Sequence, residues 1–427
     1  MHVAGLLILD RMPEDSTSGL SGLPALRASI APRLASLPRL RQVLYCPPPG
    51  LGLPVWTDDQ GFDIREHVRA HAVASPAGEA ALLRTCAELN ERPLDRSRPL
   101  WEIWLITGLA DDRAAVLLRL HHVIADGIAA LELLAALLGP DPVSPPACLG
   151  PALIPSFRQL AADQLAGAWR LLTQALRPTA AWAMSRQICG QVAALLRDGR
   201  APCLSLNAPV TSHRRYAVVR ADLELARNAA HAHGGTVNDV VLAAVAGGAR
   251  ALLAARGELG SATVLKASVA VSLPRISDQV AGGNRVGMMI APLPVAEADV
   301  SRCLARIVAA TAQRKSRPPY LPGSRFLLAW LTRTMARQRL VNVFVSNLHG
   351  PTGPQWLAGA RVLELFQLGV VQGNVPVSVG ALSYAGQLNL AIVADTKVAD
   401  HYVFVAGMAA TLRDLGVPSR SPAKSVA

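Results

Sequence analysis

Residues 114–138 read AAVLLRL-HHVIADG-IAALELLAALL. The first part is an apolar run of strand length, the pattern of a strand buried on both faces. The last part repeats leucine at helical spacing. Between them a strand ends in His121-His122 and turns at Asp126-Gly127 into a helix. A boundary of this kind puts a basic imidazole on a rigid scaffold, where chemistry tends to sit.

Adjacent side chains on a strand point to opposite faces. His121 is therefore expected on the interior face and His122 on a cavity. Two imidazoles that diverge cannot share a metal, so no metal site is expected. A single cavity-facing histidine suits general-base work, because its ordinary pKa near 6.5 lets it take a proton from a hydroxyl near neutral pH. The bland alternative is a pair of structural histidines. The strand-to-helix context favours chemistry.

The segment HHVIADG resembles the HHxxxDG signature of the CoA-dependent acyltransferase superfamily, which includes chloramphenicol acetyltransferase and peptide-synthetase condensation domains. The flanking text narrows the resemblance. RPLWEIWLITGL (residues 98–109) lies upstream, and TVNDVVLAAVAGGARALL (236–253) lies in the second half. SVAVSLPRISDQVAGGNRVGMMIAPLPV follows, then VSNLHGP (345–351) and GALSYAGQLNLAIVADTKVAD (380–400). This ordered series is similar to the bacterial wax ester synthase/diacylglycerol acyltransferase family over nearly the whole chain. Relatives carry a segment ahead of the phrase MHVAGLLILD, with which this sequence opens. Their Ser-Asn-Val-Pro-Gly-Pro reads here Ser346-Asn347-Leu348-His349-Gly350-Pro351.

The resemblance implies an α/β fold of two chloramphenicol-acetyltransferase-like subdomains, mixed sheets flanked by helices, joined by a helical linker. It implies acyl transfer from acyl-CoA to diacylglycerol or a long-chain alcohol, in a channel between the halves, with His122 as general base. Asp126 is then structural, turned from the channel and paired with an arginine, for which Arg275 is the expected partner. Gly127 keeps the channel free of a side chain. Asn238 and Asp239 match the family's Asn-Asp phrase as substrate-binding residues, although Asn and Asp also cap helix starts. Asn347 and Ser378 are candidate donors to the oxyanion, or else turn residues. No cofactor beyond acyl-CoA as co-substrate is implied. The rivals are transfer to another hydroxylated lipid or polyketide, separable by an acceptor panel, and a degenerate lipid-binding member without turnover.

Composition agrees with this class. At 427 residues the chain is too long for one ordinary core, and 51% apolar residues can fill two. The six cysteines are scattered without a C-x-x-C pair, so neither a zinc site nor a disulfide framework is indicated, and a reducing, cytoplasmic setting is expected. The net charge of +12 rests almost wholly on arginine. With few aromatics among the arginines and no nucleic-acid motif, CoA phosphates and a membrane or lipid-droplet surface are the expected partners, and nucleic acid is not. No lysine follows a glycine, so a P-loop is absent. G-x-G-x-x-G and G-x-S-x-G are also missing, which removes dinucleotide and nucleophile-elbow chemistry. An acyl transfer needing no enzyme nucleophile remains.

The chain divides into residues 1–140 with the HHxxxDG motif, a Pro-rich and amphipathic linker at 141–206, a second subdomain at 207–416, and a tail at 417–427. Within the linker, residues 156–198 interleave apolar side chains, Trp169 and Trp182 among them, with arginines. Such a helix lies in a membrane interface or packs as a linker between subdomains. Peripheral association with the inner membrane face is the corresponding expectation.

Overall fold

The computed structural model describes residues 2–12, 22–48, 50, 52, 54–125, 127–138, 152–175, 186, 190, 199–272, 286–315, 333–398 and 400–420. In chain order the strands of the first half are β1 (His2–Leu9), β2 (Gln42–Tyr45), β3 (Val55–Asp58), β4 (Val68–Ala77), β5 (Trp101–Leu109) and β6 (Ala114–His121). The helices are α1 (Leu23–Ile30), α2 (Ile64–His67), α3 (Glu79–Glu91), α4 (Gly127–Leu138) and α5 (Phe157–Ala175). The second half supplies β7 (Arg214–Asp222), α6 (Leu223–Ala232), α7 (Val237–Ala255), β8 (Leu265–Ser272), β9 (Val286–Leu293), α8 (Val300–Lys315) and β10 (Val343–His349). It closes with β11 (Trp356–Leu357), β12 (Ala360–Leu368), β13 (Val377–Tyr384), β14 (Gln387–Asp395), α9 (His401–Asp414) and β15 (Ser419–Arg420).

Two mixed sheets flanked by helices result, the α/β architecture expected. The first is six-stranded, β11-β12-β1-β6-β5-β4; the second is seven-stranded, β15-β7-β14-β13-β10-β8-β9. Every residue of β6 up to Leu120 is buried, because both faces of the sheet are covered. One face packs on α1 and α4 through Leu7, Leu118, Leu26, Ile30 and Leu134. The other packs on α3 and the second sheet through Leu6, Leu117, Cys86, Tyr216 and Val218. The helix-breaking Pro32 falls where α1 gives way to a 3-10 turn, Ala31–Ser36.

Sheet membership cuts across chain order. Strand β12, from the stretch 207–416, pairs antiparallel with β1, with Leu7 opposite Leu365 and Gly5 opposite Gln367. It also crosses β13 of the second sheet at short range. A Cβ at Gly380 would stand 2.4 Å from the Gln367 carbonyl oxygen, so only glycine permits this crossing. Among the described residues one helix, α7, is long and apolar enough to cross a membrane. It is instead the central helix of the second core, its Val240–Ala246 run buried against the sheet and α9. A helix apolar on all sides is the form a fully surrounded helix takes.

Candidate functional site

Strand β6 stops at His121, and residues 122–124 form a turn before α4 opens at Gly127. His122 therefore leaves the strand, and the expected alternation of the two imidazoles between an interior face and a cavity does not hold. Both are half-buried. The turn is fixed by its first residue. His121 N–H donates to the Leu100 carbonyl at 3.0 Å, and Ile124 N–H donates to the His121 carbonyl at 2.8 Å. The Nδ1 of His121 accepts the Val123 N–H at 3.2 Å. That bond needs an unprotonated Nδ1, and burial, reinforced by nearby positive charge including Arg96, lowers the His121 pKa. His121 thus holds the turn that presents His122.

Opposite His121 in the β1–β6 register stands His2, its ring edge-on at 6.0 Å between centroids. Burial and neighbouring cations, Arg119 among them, push the His2 pKa down from 6.5 to about 4, and its Nδ1 donates to the Asn90 carbonyl at 3.4 Å. Two residues before His121, on the same face, Arg119 is 1% exposed. Its guanidinium donates to Glu102 Oε2 at 2.7 Å, to Asn90 Oδ1 at 3.3 Å and to the Arg92 carbonyl. Glu102 Oε2 also accepts the Trp104 indole N–H at 2.9 Å. Asn90 Nδ2 donates to the Tyr216 hydroxyl at 2.6 Å, and Tyr216 belongs to β7 of the other sheet. Burial raises the Tyr216 pKa, so this phenol stays neutral. A polar network thus ties the two halves together behind His121. On the opposite face of β6, Leu118 and Leu120 border an apolar cavity of about 40 Å³ that α4 also lines.

The other predicted residues separate. Asp126 and Arg275 both lie outside the described residues. Gly127 is the first residue of α4. Asp239 is corrected from substrate binding to helix capping. It is 1% exposed, its Oδ2 accepts the backbone N–H and the hydroxyl of Thr236 at 2.8 and 2.7 Å, and its Oδ1 accepts the Thr311 hydroxyl at 2.6 Å. With these donors seated on it, the carboxylate belongs to the start of α7. Asn238 beside it is half-buried. Asn347 and Ser378 do not converge. Asn347 stands opposite Ala381 in the parallel β10–β13 register, on the face that carries Val345 and Val379, whereas Ser378 shares the other face with Gly380 and Leu382. Between the sheets, Gln367 Nε2 donates to Ser346 Oγ at 3.2 Å, and Gln367 Oε1 is buried without a partner.

Residues 1–241 match the wax ester synthase/diacylglycerol acyltransferase catalytic domain, and residues 282–416 match the C-terminal domain of the same family. The chain belongs to the wax ester synthase/diacylglycerol acyltransferase family. Among relatives, the "probable diacylglycerol O-acyltransferase tgs1" of Mycobacterium tuberculosis is 32% identical over 391 residues, 88% of this chain and 83% of its own. A further protein of that species, also named for diacylglycerol O-acyltransferase activity, is 30% identical over 437 residues, 96% of this chain and 90% of its own. Among solved structures, the wax ester synthase/diacylglycerol acyltransferase of Marinobacter aquaeolei VT8 superposes with a TM-score of 0.67 at 22% identity, covering 97% of this chain and 94% of that one. The starter condensation domain of rhizomide synthetase, solved with C8-CoA, gives 0.59 at 16% identity, covering 97% and 88%. These likenesses show that the chain shares the fold of those two proteins.

The reading of residues missed Arg119, Asn90, Glu102, Tyr216 and Gln367. Arg119 and Glu102 each left a signal, as a charge inside an apolar run, which a buried strand tolerates when the charge is paired.

Proposed function

We propose that this chain transfers a fatty acyl group from acyl-CoA to the hydroxyl of diacylglycerol, of a long-chain alcohol, or of both. The observation that carries the reading is the His121–His122 turn, held at the end of a buried strand in a chain of this family. His122 takes the hydroxyl proton as the acceptor oxygen attacks the thioester carbon. The carbon–sulfur bond then breaks, and the CoA thiolate leaves with the proton that His122 returns. Neither an enzyme nucleophile nor a bound cofactor is required.

Both lipid substrates reside in membranes, and α5 fits delivery from one. Phe157, Leu165, Trp169 and Leu172 are exposed within about one-third of the helix circumference, with Leu153 and Ile154 exposed just before it. Arg158 and Arg170 lie on the same helix. This is the composition of a helix that rests in an anionic interface, here on the cytoplasmic side of the membrane or on a lipid droplet.

Purified protein supplied with palmitoyl-CoA and either diacylglycerol or hexadecanol should release CoA thiol and form the corresponding ester. Absence of thiol release with both acceptors overturns the activity. Flotation with anionic vesicles should carry the protein upward at low salt, and Trp169→Glu should weaken that flotation. Protein that stays at the bottom at low and high salt overturns the membrane role.

A further inference from the structure

Gly5 has no conformational reason to be glycine. It sits mid-strand in β1, outside the left-handed region, where glycine is destabilising by roughly 0.5–1 kcal/mol relative to alanine. Steric reasons are also missing. A Cβ there would meet Leu134 Cδ2 at 3.9 Å and the Phe366 carbonyl oxygen at 4.0 Å, both ordinary contacts. This differs from Gly380, where backbone stands in the way. What Gly5 does supply is space. In the sheet register it lies between Gln367 on one side and Leu118 on the other, in one row facing α4. The missing side chain in that row opens the floor of the apolar cavity of about 40 Å³.

The cavity's walls lead to the site. Leu118 and Leu120 belong to the strand that ends in the histidine turn, and Ala130, Leu131 and Leu134 to the helix that leaves it. Leu348 and Leu382 of the second sheet also line it, and Gln367 is the sole polar side chain in the lining. From Leu118 to His121, the last residue of the strand, is roughly 10 Å, and His122 follows in the turn. An aliphatic space at that distance, too small for a whole lipid, fits the end of an alkyl chain whose head is at the turn.

We propose that this cavity seats the tip of a substrate's alkyl tail and that Gly5 sets the length of tail accepted. The proposal rests on the acyl-transfer reading for the position of the head. The tail belongs either to the acyl donor or to the alcohol, and the same hydrocarbon chemistry serves both.

The test compares the wild type, Gly5→Val and Leu134→Ala across saturated acyl-CoAs of graded length with one alcohol, and then across graded alcohols with one acyl-CoA. Binding of the same acyl-CoAs is measured by tryptophan quenching without acceptor. Gly5→Val, a residue suited to a strand, should keep the melting temperature or raise it. It should lower kcat/KM on the longest chains roughly tenfold while sparing shorter ones, the scale on which a pocket discriminates methylenes. Leu134→Ala should shift the preference toward longer chains. The panel that shifts identifies the tail. Unaltered length profiles in both panels for a folded Gly5→Val overturn the proposal. If the wild type binds acyl-CoA without turnover, the acyl-transfer reading fails, and the binding profiles alone decide the tail pocket.

Discussion

The histidine turn after β6 and the start of α7 both carry phrases shared with the family, yet their polar groups are spent differently. At Thr236–Asp239 the carboxylate is buried and each of its oxygens is taken by a donor of the protein. At His121–His122 one imidazole is used to hold the turn, and the other is half-buried in that turn. A polar motif whose groups satisfy each other builds structure. One that spends a group to position its neighbour builds a site.

The largest effect expected from this contrast is on turnover. His122→Ala should lower the rate by about a hundred- to ten-thousand-fold, the range of general-base contributions, with the unfolding midpoint unchanged. Full activity in that variant removes the mechanism. Next, Arg119→Ala breaks the network behind the turn and leaves Glu102 without its cation. A loss of about 3–5 kcal/mol in urea unfolding is expected, and a loss below about 1 kcal/mol would make the network incidental.

Asp239→Ala should cost about 2 kcal/mol, from the lost cap and the orphaned Thr236 and Thr311 donors. Its KM for acyl-CoA should match the wild type once the protein is folded. A raised KM with little loss of stability would return Asp239 to the substrate and erase the contrast. The smallest effect concerns pH. His2 and His121 have folded pKa values below the ordinary 6.5, His2 at about 4, so the unfolded chain binds more protons between those values. Stability should fall as pH drops from about 6.5 toward 4, read as the urea midpoint, and His2→Phe should flatten that slope. An equal slope in His2→Phe assigns the acid sensitivity elsewhere.

Much of this was legible in the sequence because period and burial are local. The run 114–120 announced β6, and the leucine spacing announced α4. The helix α5 was legible in the same way, but composition left it either packed or exposed, and the structure shows the exposed stripe. The alternation rule failed at His122 because it applies only while the strand continues, and the strand ends one residue earlier. The double reading of Asp239 needed Thr311, which lies 72 residues away and could not be placed beside it from spacing.

The sequence by itself determined the family, and the strand and helix on either side of the histidine motif, since ordered motifs and periodicity are written along the chain. Tertiary structure decided where the halves meet. Strand β12 enters the first sheet because its edges find β1 there, and Gly380 allows it to cross β13. The same folding placed Tyr216 on Asn90 and set Gly5 between Gln367 and Leu118. Pairings between distant segments depend on which backbone edges and apolar faces remain uncovered after local structure forms, and no local pattern encodes that remainder.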